Sequence, residues 1–126
     1  DDSVRLVDLP GYGYARVSMA VKDHWHQHLD EYLRNRSCLR GIILLVDIRH
    51  PIKDFDEMMI NWSLGVSLPL HILLTKADKL RRGAQQNALL DLRRQLPDTI
   101  TVQVFSATKK QGLDVLENKL REWLRS

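Results

Sequence analysis

Leu70-His71-Ile72-Leu73-Leu74-Thr75-Lys76-Ala77-Asp78 is a short apolar run that breaks off into four polar or small residues. A run of this kind reads as a strand buried on both faces, the pattern of parallel sheets, and its abrupt end marks a strand-to-helix turn. Ile42 to Val46 is a purer case, an unbroken branched-apolar stretch, while Ile100 to Phe105 repeats it less purely. Val4 to Leu9 forms an earlier candidate strand that stops at Pro10-Gly11, where proline removes a ladder donor and glycine permits a tight turn.

Between these runs the period changes to that of helices. From Ser18, a suitable N-cap, Val21, Trp25, Leu29, Tyr32 and Leu33 recur at helical spacing as far as about Asn35. Asp54 and Glu57 make a capping-box-like start to a helix carrying Phe55, Met58, Met59 and Trp62, with Gly65 as its natural stop. Leu89, Leu92 and Leu96 mark another helix, ended by Pro97-Asp98, and Leu113, Leu116, Leu120, Trp123 and Leu124 mark the last. The alternation of strand and helix predicts an α/β fold: three layers, with a mostly parallel sheet covered by helices. At 126 residues, 44% hydrophobic, the chain has the content of one domain.

Composition bounds the partners only loosely. A net charge of +3 permits contact with nucleic acid without requiring it. Cys38 is the single cysteine, so no intrachain disulfide can form, and a reducing compartment is the simple expectation. The runs from Gly41 to Val46 and from Leu68 to Leu74 are too short to cross a bilayer.

In parallel α/β sheets ligands sit at the carboxyl ends of the strands. Those ends here are Asp8-Leu9-Pro10-Gly11, Asp47-Ile48-Arg49-His50-Pro51, Thr75-Lys76-Ala77-Asp78 and Ser106-Ala107-Thr108. Any one alone reads as an ordinary turn, with Lys76 solvated and Asp78 capping a helix; their conjunction carries the weight. Guanine presents two adjacent donors, and a fixed carboxylate such as Asp78 can accept both through charge-assisted bonds. A base without those donors would leave the charge unpaired. Lys76 could lay its methylene stem over the base. Small residues at Ser106, Ala107 and Thr108 would let a backbone N–H approach the guanine carbonyl oxygen. Asp8 would hold magnesium through water at the phosphate end, and the Gly11 amide would bond a terminal phosphate, whose loss would release that loop.

Asp-x-x-Gly, then (Thr/Asn)-Lys-x-Asp, then Ser-Ala, each after a strand, resembles three motifs of the Ras-like GTPases. More narrowly, the stretches Asp8 to Ala15, Asp47 to Pro51, Thr75 to Leu80 and Lys109 to Gly112 resemble the EngB (YihA/YsxC) family of bacterial ribosome-assembly GTPases. The likeness runs through essentially the whole chain. It implies a P-loop GTPase G domain, GTP or GDP binding, slow hydrolysis and magnesium dependence. It also implies a cytoplasmic role in maturing the large ribosomal subunit, and thereby in growth, septation and cell division. Contact with ribosomal RNA, a monomer when complete and no attachment to membranes are further expectations from the family.

Three departures qualify that likeness. Thr75 replaces the commoner asparagine, a change the family tolerates. Tyr12 follows Gly11 where Ras-like enzymes carry the glutamine that orients the attacking water, so unassisted turnover is expected to be slow and no catalytic residue is identified. No Gly-x-x-x-x-Gly-Lys-(Ser/Thr) loop occurs, and no switch threonine for magnesium is identifiable. The family's sheet order would put the P-loop strand between those ending at Asp8 and Asp47, and its loss would leave a gap of roughly 10 Å. Residues 1–126 are therefore expected to be the C-terminal two-thirds of a G domain, the later part of a longer polypeptide.

Simpler readings apply elsewhere. His24 and His28 stand four apart on one helix but have no third ligand, and a solvated face is preferred. Asp47 and Arg49 are expected to bond each other or local backbone. Trp25, Trp62 and Trp123 fall on apolar stripes and are assigned to the core. The clusters Lys79, Arg81, Arg82 and Lys109, Lys110 could touch RNA phosphates or be plain basic helix starts. Two other classes compete with the GTPase: a receiver-like domain phosphorylated on Asp47, and a non-catalytic ribosome-binding module.

Overall fold

The computed structural model describes residues 40–50, 52 and 54–125. Within them three strands, β1 (Ile42–Asp47), β2 (Leu70–Thr75) and β3 (Ile100–Val104), alternate with three helices, α1 (Asp54–Gly65), α2 (Arg82–Gln95) and α3 (Leu113–Arg125). A single 3-10 turn, Ala77–Lys79, follows β2. The strands form one parallel sheet in the order β1-β2-β3, flanked by helices, so the described residues are α/β. The candidate strand Val4 to Leu9 and the helix beginning at Ser18 lie outside the described residues, as do Asp8, Gly11, His24, His28 and Trp25.

Register explains why the strands are buried as they are. Ile42 lies beside Leu70 and Leu70 beside Ile100; the next row on that face is Leu44, Ile72 and Val102. These rows pack against Met59, Ile60 and Trp62 of α1 and Leu89 and Leu92 of α2 in one apolar core. Each such side chain removed from water contributes about 1.5–3 kcal/mol, which holds the crossover helices on this face. β1 and β2 each run one residue further than their apolar runs, because Asp47 pairs with Thr75 across the ladder. β3 ends one residue short of Phe105.

The opposite face is built differently. Its rows are Ile43, His71 and Thr101, then Leu45, Leu73 and Gln103. α3 lies on this side, close enough for Lys119 and Glu122 to act on the charge of His71. The helix seats through Trp123 over Gly41, where a Cβ would stand 2.7 Å from a ring carbon. The apolar stripe of α3 is wider than the surface it meets: Leu116, Leu120 and Trp123 are half-buried, whereas Leu113 and Leu124 are exposed. Trp62 is buried, as its position on the stripe of α1 leads one to expect. Among the described residues no helix is long and apolar enough to cross a membrane.

Candidate functional site

The ends of β2 and β3 bring the two informative turns together. After Thr75 the backbone turns left-handed at Lys76 (φ 59), an uncommon conformation for a side-chain-bearing residue, and then closes the turn Ala77–Lys79. The Ala77 amide donates to the Phe105 carbonyl at 3.1 Å, which ties this turn to the end of β3. Ser106 lies next in the chain, fully buried, and its Oγ donates to Asp78 Oδ1 at 2.7 Å. With its single proton committed there, Ser106 Oγ accepts from the Lys109 amide at 3.2 Å and is left to accept from the Thr108 hydroxyl, also at 3.2 Å. The hydrogen bond from Ser106 holds the Asp78 carboxyl below its ordinary pKa, so it is a carboxylate at neutral pH.

That carboxylate is partly exposed, and Ala107 and Thr108 at the tip of the neighbouring turn are exposed. An ionised carboxylate offers about four lone-pair positions; Ser106 takes one, and Thr108 and the Asp78 amide add weaker hydrogen bonding. The remaining capacity suits a ligand edge carrying two adjacent donors. Of the other residues singled out by sequence, Thr75 uses its hydroxyl to reach the Val46 carbonyl at 3.2 Å, a staple between β2 and β1. Lys76 is exposed, with its ammonium 3.6 Å from Asp47 Oδ2.

Asp47 closes the site on the β1 side. It accepts from Arg49 through Nε at 3.1 Å, Nη2 at 2.9 Å and the backbone amide at 2.9 Å. The Arg49 side-chain bond, helped by its charge and by Lys76, drives the Asp47 carboxyl far below the usual carboxylate range despite an opposing desolvation effect. The mutual bonding expected of Asp47 and Arg49 is what the structure has.

Two buried glutamines hold the turns from behind, and sequence reading missed both. Gln85 of α2 donates through Nε2 to the Ala77 carbonyl at 2.6 Å and the Leu80 carbonyl at 3.1 Å, while its Oε1 accepts from Gln111 Nε2 at 2.8 Å. Gln111 in turn exchanges both backbone hydrogen bonds with Ser106, each at 3.0 Å. Gln103 of β3 donates to the Gly112 carbonyl at 2.8 Å and the Val104 carbonyl at 3.1 Å. These bonds fix the orientation of its amide, so Gln103 Oε1 must accept from His71 Nε2, 2.7 Å away. His71 therefore carries a proton on Nε2, and in the neutral ring Thr101, 2.6 Å away, donates to Nδ1. Burial, the largest cause, lowers the His71 pKa and keeps the ring in that form. Gly112 closes the turn at φ +81, and a Cβ there would overlap the Val104 carbonyl oxygen.

Among the described residues no group of three His, Cys, Asp or Glu side chains is arranged to hold a metal ion. Asp8, expected to hold magnesium through water, and Gly11 lie outside them. Compared with models of known protein families, the chain matches none.

Proposed function

We propose that this chain is the guanine-reading part of a GTP-binding protein, a P-loop GTPase of the EngB kind acting in assembly of the large ribosomal subunit. The observation that carries the reading is the ionised, partly exposed Asp78, held by the Ser106 hydroxyl at 2.7 Å, whose carboxylate has acceptor positions beyond that bond. Guanine's ring N–H and exocyclic amine are spaced to donate to it together, whereas adenine offers no such pair. The Ser106 amide is committed to Gln111, so the carbonyl of the base would be met by the amide of Ala107 or Thr108. Lys76, drawn toward Asp47, would lay its methylene stem along the base.

The phosphates, magnesium and hydrolysis belong to the same proposal through the sequence resemblance, with Asp8 and Gly11 in the roles it gives them. The ion would neutralise phosphate charge. Contact with the ribosomal subunit or its RNA rests on the family likeness and on the basic residues Lys79, Arg81, Arg82, Lys109 and Lys110. A phosphoacceptor role for Asp47 is the weaker reading, because both its carboxylate oxygens are engaged by Arg49.

Calorimetry on the complete protein tests the base-reading assignment. Asp78→Ala is expected to weaken GDP binding by roughly thirty-fold or more, and Asp78→Asn to shift preference toward xanthosine diphosphate, whose 2-oxo group accepts from the new amide. Unchanged GDP affinity in both variants would defeat it.

A further inference from the structure

Besides the backbone bond from Ala77 to Phe105, two side-chain routes join the Asp78 turn and the Ser106 turn. At the exposed side the link is Ser106 to Asp78. At the buried side it runs from the Ala77 and Leu80 carbonyls through the Gln85 amide to Gln111, and from Gln111 through paired backbone bonds to Ser106. The two routes differ in what a ligand would do to them. Donors arriving at Asp78 would share the carboxylate that the Ser106 hydroxyl holds, so the front link lies within the ligand's own contact. The rear link involves none of the atoms offered to a ligand. Gln85 is itself buried, at 6% exposure, and the three bonds of its side chain leave only one amide acceptor position unused.

We infer that Gln85 is a positioning residue for base recognition: it fixes the spacing between the Asp78 carboxylate and the Ser106–Thr108 turn through atoms that the ligand would not touch. The inference rests on the guanine reading and deepens it by naming the residue that keeps the recognition geometry. It also explains why a long polar side chain is buried on a helix whose other buried residues are Leu89 and Leu92. A leucine at position 85 would fill nearly the same space and pack with them. What it could not do is hold two carbonyls of one turn and a side chain of the other.

The test uses inosine diphosphate, which lacks the exocyclic amine and so reports on one of the two Asp78 bonds. The ratio of the inosine to the guanosine diphosphate dissociation constants in the complete protein measures how well Asp78 is aimed. A charge-assisted bond makes that ratio roughly ten- to hundred-fold in the wild type. Gln85→Leu is expected to bring it toward one while cooperative thermal unfolding persists. Should Gln85→Leu fail to fold, Gln111→Leu opens the same rear link from the other turn and is read instead. A ratio that stays at the wild-type value, with both nucleotides weakened equally or not at all, would overturn the positioning role and leave the base reading standing. A wild-type ratio of one would remove the base reading and this inference with it.

Discussion

Asp47 and Asp78 stand at the same end of the same sheet, at or just beyond the ends of neighbouring strands, and they have opposite fates. Asp47 is bound by a guanidinium that takes both its oxygens and by a lysine ammonium beyond. Asp78 is held by neutral groups, chiefly the Ser106 hydroxyl and to a smaller extent Thr108. Both carboxyls titrate below their ordinary value, Asp47 more strongly. The comparison teaches that a depressed pKa does not by itself mark a binding group. A carboxylate satisfied by cations has little left to offer, whereas one held by neutral hydroxyls remains charged and open to further donors. Ionic strength should separate them, since salt screens the exposed Arg49 contact far more than it affects the bond from a buried neutral hydroxyl.

The largest expected effect comes from the support of the Asp78 side. Gly112→Ala forces a side chain into left-handed backbone and against the Val104 carbonyl. It should cost about 2–4 kcal/mol of unfolding free energy by urea titration. A loss below about 0.5 kcal/mol would mean that the turn carrying Ser106 yields easily, and the contrast between a rigid and a self-contained aspartate would fail.

A smaller effect is expected from pH. The folded pKa of His71 lies below its ordinary 6.5, so the unfolded chain takes up the proton first. The stability due to the neutral ring is therefore fully present above 6.5 and is lost as pH falls through the folded value. Lys119 and Glu122, facing the ring from α3, push this value in opposite directions. The two aspartates follow the same sign in a lower window: their contribution is complete above 3.8 and disappears as each folded pKa is passed. Denaturation at about pH 7.5 and about pH 5.5 should show the wild type weakening on acidification, and His71→Gln should flatten that slope. An unchanged slope would take His71 out of the support for the Asp78 side.

The smallest effect belongs to Asp47. Asp47→Asn removes an exposed ion pair and should lower the thermal midpoint by no more than about 5 °C. A fall beyond about 10 °C would show that the β1 end holds the fold rather than only orienting Lys76.

Much of this arrangement was legible in the sequence. The apolar runs at Ile42 and Leu70 gave parallel strands because burial on both faces leaves no alternation, and Gly65 and Pro97 gave the helix stops through backbone chemistry alone. The pairing of Asp47 with Arg49 followed from a two-residue separation. Gln85 and Gln103 were not legible. A glutamine at position 85 looks like part of a solvated helix face, and its burial depends on Gln111, 26 residues away. His71 was hidden inside an apolar run, and only the register that sets it beside Thr101, with Gln103 two residues further along β3, reveals a polar row. The stripe on α3 overstated its burial because periodicity reports which side faces inward, not how far the surface beneath extends.

At the foot of β1, a hydrogen atom at Gly41 faces the Trp123 indole where any carbon would intrude. The absence of one methyl group there decides how closely the last helix can lie over His71. An alanine at 41 would lift that cover, admit solvent to the imidazole and let its proton affinity climb back toward that of a free ring. Dryness in the middle of the sheet is thus governed from its rim, by the smallest residue in the chain.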